Sequence, residues 1–434
     1  MKLRDLFLFS AAAAAALVVF AVGRPGCAAT YSVVDLGVPA GVDFSEGIDV
    51  NEAGQVAVRT WASGYFYGVL WHNGERTVID IPLPYNAPEA INNLGHIAGH
   101  ASDNPGHSRG MLWQNGSLTY LPDAPGGQSW TRAHDVNDSG LVVGNSLGDP
   151  NNINRAFTWQ NGVWNDLGIV DVGFGPGNAA GLPRIVSDAV KVNNAGQILG
   201  VTTKDQYIQG DFRFRHRTWI LDHGSLAILP TLPGDADAST FPYALNEQGD
   251  VLASYNSSIN GFFFGIWQGG EIRPLQSLPG TNAFAVALND SRAAVGFSSV
   301  FGPTGSEPTY YATIWDSAGV PIDLNTLVDA SGNGWQLTRA NAINNKGWIV
   351  GQGINPQGQD RGFLLIPVPE PQAIGVCLIA LGALLIGDTP FSRCRSTASG
   401  EVYPRRLPRV GKTGQQNSRL LTDSRPSTLE HSGS

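Results

Sequence analysis

Apolar residues along this chain come in short runs, broken every 41 to 56 residues by the same polar device. One copy runs from Ala133 to Gly168. It reads Asp135-Val136-Asn137, Asp138-Ser139-Gly140 and Leu141-Val142-Val143-Gly144, then, after a variable loop, Arg155-Ala156-Phe157-Thr158-Trp159, Asn161-Gly162 and Trp164-Asn165-Asp166-Leu167-Gly168. Most of these features recur six more times between residues 31 and 367. The first asparagines are Asn51, Asn92, Asn137, Asn193, Asn246, Asn289 and Asn344, spaced by 41, 45, 56, 53, 43 and 55 residues. Three positions later stand Gly54, Gly95, Gly140, Gly196, Gly249 and Gly347, with Arg292 in the remaining copy. Asparagine favours the start of a type I turn, and glycine takes the positive φ that restores the strand twist without a Cβ clash. Apolar residues flank each turn, as in Ala90-Ile91 before and Ile97-Ala98 after. Each copy therefore begins with two antiparallel strands.

A tryptophan marks the second half of six copies: Trp71, Trp113, Trp159, Trp219, Trp267 and Trp315. Behind them come Asn73-Gly74, Asn115-Gly116, Asn161-Gly162, His223-Gly224 and Gly269-Gly270, which are two-residue hairpin signals joining a third strand to a fourth. Four strands per unit of this length point to a radially repeated β architecture, whose blades pack large aromatics between them. Inter-blade packing is the expected role of the tryptophans, with sugar stacking as the alternative. The seventh copy stops at Pro367 with no fourth strand, whereas Tyr31-Ser32-Val33-Val34-Asp35-Leu36-Gly37 matches a fourth strand with no blade before it. One fragment completes the other. The expectation is an all-β, seven-bladed propeller over residues 30–367, closed by the N-terminal strand, which removes two sheet edges.

The set of Asn-x-x-Gly, a short apolar strand, Arg155-Ala156-Phe157, Trp159-x-Asn161-Gly162 and Asp166-Leu167-Gly168 resembles the extracellular repeats of the HAF family. The resemblance covers residues 31–367 and is weakest in the fifth and sixth units. It implies an exported, propeller-like repeat protein, without an established activity.

The two ends read differently. Lys2 and Arg4 precede an apolar run from Leu6 to Val22 and the small residues Gly26, Cys27, Ala28 and Ala29, the layout of a secretory signal peptide over residues 1–29. Lipidation of Cys27 is the competing reading, opposed by Arg24 and Pro25. At the other end, Pro369-Glu370-Pro371, an apolar run over residues 373–387 and the basic pair Arg393 and Arg395 resemble a PEP-CTERM sorting signal over residues 368–395. That resemblance implies a sorting protease of the exosortase type as partner and a transmembrane helix in the precursor. The run is short beside the roughly 20 residues of a typical span, but terminal arginines extend its reach. Such signals normally end soon after the basic cluster. Here residues 396–434 follow, rich in Ser, Arg, Pro and Thr, and read as a disordered tail.

Charge narrows the partners. The formal net charge of −9 combines +2 on residues 1–30, +4 on residues 371–434 and −15 on the section between. Such an acidic domain opposes nucleic acid, whose phosphates need clustered Lys and Arg. It is compatible with divalent cations or basic partners. Cys27, Cys377 and Cys394 all lie outside the repeats, so neither disulfides nor cysteine-bound metal hold them together.

Candidate chemistry is sparse. Asp135-x-Asn137-x-Ser139-Gly140 resembles the start of a calcium loop, but Ser146 stands where a bidentate carboxylate is required, and turn chemistry is the expected role. The corresponding aspartate position holds Asp49 in the first unit and Ala90, Lys191, Ala244, Ala287 and Ala342 in the others. His96, His100 and His107 form the one close histidine group. On a strand His96 and His100 would face the same side, yet no third ligand has fixed spacing. Gly173-Phe174-Gly175-Pro176-Gly177 lacks the strand-to-helix context of a phosphate loop. No cofactor and no catalytic residue are implied. The reading is a noncatalytic, exported cell-surface or matrix protein that binds extracellular polysaccharide or envelope proteins through loops on one face. The alternative is a secreted propeller hydrolase or lyase acting on glycans, with carboxylates converging near the axis.

Overall fold

The computed structural model describes residues 30–369, apart from short stretches at 63, 80–84, 105–106, 125–129, 148–152, 176–183, 209–210, 233–234, 236–237, 258 and 303–306. The expected signal peptide, Glu370, Pro371, the span 373–387, Arg393, Arg395 and the tail lie outside the described residues, as do Cys27, Cys377, Cys394, Pro176 and Gly177. Among the described residues no helix is long and apolar enough to cross a membrane.

The chain forms seven four-stranded antiparallel sheets, the blades of a β-propeller. Blades 1 to 6 occupy residues 44–78, 85–120, 131–168, 185–228, 239–274 and 282–323, each with its strands in sequence order. Blade 7 takes three strands from residues 336–368 and its fourth from Thr30–Asp35. That N-terminal strand pairs antiparallel with Asp360–Val368, from Thr30 opposite Val368 to Asp35 opposite Phe363. Its other edge is covered as well, since Tyr31 donates to Leu327 O and Asp329 donates to Tyr31 O, both at 2.8 Å. The first strands of successive blades contact one another all the way round, blade 7 meeting blade 1. They therefore surround the axis.

Local chemistry explains the repeat. The glycines three positions after Asn51, Asn92, Asn137, Asn193, Asn246 and Asn344 hold φ between +77° and +81°, and Arg292 accepts +64° in the turn of blade 6. The four X-Gly hairpins at 73, 115, 161 and 223 hold φ between +46° and +51° and then between +82° and +87°, the conformation that matches strand twist. Every first strand carries a bulge just before its asparagine, at Gly47/Asp49 in blade 1 and Ala133/Asp135 in blade 3, for example. A bulge bends its strand and re-aims the side chains beyond it.

The core lies between blades. Trp71 packs with Val350 and Leu364 of blade 7, Trp159 with Ala98 and Leu112 of blade 2, and Trp315 with Leu252 and Phe264 of blade 5. Trp113 and Trp219 are likewise buried against the preceding blade, and Trp267 is half-buried beside Leu199 and Ile220 of blade 4. The tryptophans thus act as mortar between blades. Nothing of their indole faces is left for a sugar at Trp219 or Trp315, which are fully enclosed.

Candidate functional site

The turn between first and second strands brings all seven asparagines to one mouth of the axis. Each Nδ2 donates to the backbone carbonyl of the next asparagine: Asn51 to Asn92, Asn92 to Asn137, Asn137 to Asn193, Asn193 to Asn246, Asn246 to Asn289, Asn289 to Asn344, and Asn344 back to Asn51, at 2.9 to 3.3 Å. Each Oδ1 meanwhile accepts from the backbone amide four positions on, and in every copy but that of Asn193 also from the one two positions on, as Asn137 does from Ser139 and Leu141. The amide side chain thereby fixes its own turn and stitches it to its neighbour.

A second ring lies one residue further out. The amide of each following residue donates to the side chain of its counterpart in the next blade: Glu52 to Asn93, Asn93 to Asp138, Asp138 to Asn194, Asn194 to Glu247, Glu247 to Asp290, Asp290 to Asn345 and Asn345 to Glu52. These residues line an axial cavity of about 180 Å³. Four carboxylates of the ring, Glu52, Asp138, Glu247 and Asp290, share it with Asp135. Burial, followed by the neighbouring Asp290 and Asp138 charges, pushes Glu247 above the ordinary carboxylate range. Each carboxylate is nonetheless committed to a neighbour's amide, so the ring reads as a structural seal.

Below the ring the channel is ionic on one side. Asp49 Oδ2 accepts from Ile91 N and Asp135 Oδ2 from Val192 N, both at 2.9 Å, while Lys191 Nζ stands 4.0 Å from Asp135 Oδ1. Burial opposes the Lys191 charge, but Asp135 and Asp49 outweigh it and raise its pKa. Asp135 and Asn137, expected to serve the turn despite their resemblance to a calcium loop, both have protein partners. Asp135 is bound to the next blade, and Asn137 Oδ1 is filled by Ser139 and Leu141, so those oxygens face protein donors. Deeper still, His134 Nε2 meets Asn145 Oδ1 at 3.2 Å, Asn145 donates to Asp188 at 2.7 Å, Glu89 pairs with His100 at 3.3 Å and Glu46 with Arg59 at 2.6 Å. Burial depresses His134, against the pull of Glu89 and Asp188, and raises Asp188. The axis does gather carboxylates, as the hydrolase alternative requires, but each has a protein partner.

The histidine group is corrected. His96 lies in the turn before the strand Ile97–Asn104, where its Nδ1 meets Gln114 Nε2 at 3.1 Å, whereas His100 faces Glu89 and His107 is exposed. Counting alternate residues fails because His96 is not in a strand. Among the described residues no cluster of three or more His, Cys, Asp or Glu side chains is placed to hold a metal.

The opposite face, built from connections between second and third strands, is different. Trp61 and Tyr65 (39% exposed each), Phe214 (56%), Phe262 (54%) and Phe301 (68%) all sit at or beside those connections. Between blades 4 and 5 a cleft of about 610 Å³ is lined by Phe214, His216, Phe241, Tyr243 and Phe262 with Ser239, Ser254 and Asn256. Ring contacts continue from it: His216 to Phe241 at 5.3 Å, Phe241 to Tyr243 at 5.5 Å, Tyr243 to Phe264 at 5.1 Å, Phe264 to Phe284 at 5.9 Å, Phe284 to Phe297 at 4.9 Å and Phe297 to Tyr310 at 5.6 Å. Arg339 of blade 7 ends the path, its guanidinium 4.7 Å from Phe297 and 4.6 Å from Tyr310. Sequence reasoning missed this strip. Its signal was there in the strand halves nearest the second-to-third connections of units four to six, where aromatics recur.

No protein-family model and no curated protein matches the chain. Among solved structures, the chain is similar to the β-propeller domain of the trilobed protease from Pyrococcus furiosus, described as having an open velcro topology, at 10% identity and a TM-score of 0.48 over 76% of this chain and 94% of that one. It is also similar to TolB from Acinetobacter baumannii at 11% identity and a TM-score of 0.37, over 67% of this chain and 61% of that one. A third similarity is to the SapL1 lectin in complex with alpha methyl fucoside, at 14% identity and a TM-score of 0.33 over 65% of this chain and 96% of that one.

Proposed function

We propose that this protein is a noncatalytic binding module, exported by its N-terminal leader, sorted through its PEP-CTERM-like end, and presenting the aromatic face of its propeller to extracellular polysaccharide. The observation that carries this reading is the segregation of exposed aromatics. They gather at the second-to-third connections and the 610 Å³ cleft, while the other mouth of the axis is sealed by its own hydrogen bonds. Exposed aromatic patches rimmed by polar groups mark interaction sites, and sugar rings offer C–H faces to such platforms while hydroxyls reach Ser239, Ser254 and Asn256.

Affinity electrophoresis of the full-length protein in gels containing native exopolysaccharide tests it. Retardation is expected, weakened by Phe214→Ala and Phe262→Ala together. Equal mobility with and without polysaccharide would remove the reading. The same mixtures address the hydrolase or lyase alternative, since new reducing ends or unsaturated sugars would make the protein an enzyme.

A further inference from the structure

We infer that Arg339 makes the aromatic strip a receptor for acidic polysaccharide, accepting a sugar carboxylate at the blade 7 end of the path that starts in the cleft; this rests on the polysaccharide-binding reading above. Arg339 lies on the first strand of blade 7, beside a bulge at Leu337/Arg339. Its guanidinium rests against the rings of Phe297 and Tyr310, which stand 77° apart, so two aromatic faces hold it without using its N–H groups. Among the described residues its side chain has no ion pair and no hydrogen bond, unlike Arg59, Arg155, Arg292 and Arg361, each of which donates to a carboxylate or a carbonyl.

Arg109 and Arg132 likewise rest on single rings without a printed hydrogen bond, but Arg339 lies against two rings at the end of the path that leads from the cleft. A planar guanidinium held by rings presents its donors in the fork that matches a carboxylate bidentately. The strip supplies the rest: Phe262, the exposed ring at the cleft, lies 6.5 Å from Phe284, Phe284 stacks on Phe297 at 4.9 Å, and Phe297 abuts Arg339, so a continuous path of ring contacts links the cleft to the guanidinium. Long-range repulsion by the acidic domain is screened beyond about 8 Å at physiological ionic strength, leaving this local contact to decide.

The test compares polygalacturonate with its carboxyl-reduced, neutral counterpart, both titrated into the full-length protein at one fixed ionic strength. The protein is expected to bind the acidic polymer about 10-fold more tightly or better, the range of a charge-assisted contact. Arg339→Gln should bring that ratio towards one. Arg339→Lys, which keeps the charge but not the fork, should fall between. Phe262→Ala should weaken both polymers in parallel. Melting curves of each variant establish that it is folded. A ratio near one in the wild type, or a ratio that Arg339→Gln leaves intact, overturns the assignment to Arg339 while leaving polysaccharide binding in place. Failure of the folded wild type to bind either polymer or native exopolysaccharide overturns both.

Discussion

Asn344 and Asn51 lie 293 positions apart, yet Nδ2 of Asn344 donates to the carbonyl oxygen of Asn51 at 2.9 Å, closing a ring of seven such bonds. Each asparagine does two jobs with one amide. Its oxygen orders the turn and its nitrogen joins blades, which is why neither Ser nor Asp replaces it in any copy. Asn344→Asp separates the two roles. The acid keeps an oxygen for Lys346 N and Trp348 N, now at 3.0 and 2.9 Å, but sets a second oxygen against Asn51 O. A loss of about 1–3 kcal/mol is expected, read as a lower midpoint in urea unfolding. An unchanged midpoint would show that the ring adds nothing.

The N-terminal strand is the second closure. Removing Tyr31 to Gly37 deletes the partner of Asp360–Val368 and takes Leu36, 1% exposed, from the seam it shares with Val350, Leu364 and Trp71. Two edges would open together, on the 360–368 strand and at Leu327 to Asp329. The deleted protein should melt lower and scatter light on mild heating. Coincident melting curves would rule out closure by this strand as a source of stability.

Blade number, turn positions, tryptophan burial and velcro closure were legible in the sequence, because each depends on residues that recur at nearly fixed offsets within a unit. The donor role of Asn137 was not, since the turn it builds is local while its Nδ2 bond reaches Asn193, 56 positions away. Bulges hid more. The one between Ala133 and Asp135 leaves His134 unpaired and brings it to Asn145. Phe284 and Arg339 are distant in sequence and belong to different blades, so only the ring geometry brings them to one strip.

His134 gives the channel a pH dependence. Burial holds its pKa below the ordinary 6.5 despite Glu89 and Asp188, while Arg132 and the Asn145 contact complete its surroundings. An unfolded chain binds a proton near pH 6.5 that the folded chain refuses, so this contribution to stability is present above that pH and is lost as pH falls towards the folded value. Glu89, whose pKa is lowered from 4.5, acts only in a more acidic window. His134→Gln should therefore lessen the slope of the stability profile between pH 6.5 and the onset of carboxylate titration, with His96 and His216, also depressed by burial, supplying what remains. Parallel profiles for variant and wild type would exclude His134 as the source.

Two glycines of one hairpin, Gly140 in its turn and Gly144 in its second strand, separate conformational from steric demand. Gly140 holds φ at +78°, but a Cβ there would meet nothing within 4 Å, so Gly140→Ala costs only the left-handed penalty of about 1–2 kcal/mol. Gly144 has no positive φ, yet its Cβ would lie 1.9 Å from Arg132 O and 2.9 Å from Phe157 Cε1. The carbonyl cannot swing away, because Arg132 pairs with Asn145 and the bulge at Ala133/Asp135 fixes the backbone beside it. Gly144→Ala must then part the first and second strands of blade 3, next to the His134–Asn145 contact. It should cost about 1–3 kcal/mol or more and disturb the titration of His134, which Gly140→Ala leaves alone. Equal losses from the two substitutions, with an undisturbed histidine, would mean that the strand pair yields more readily than its bulge geometry implies.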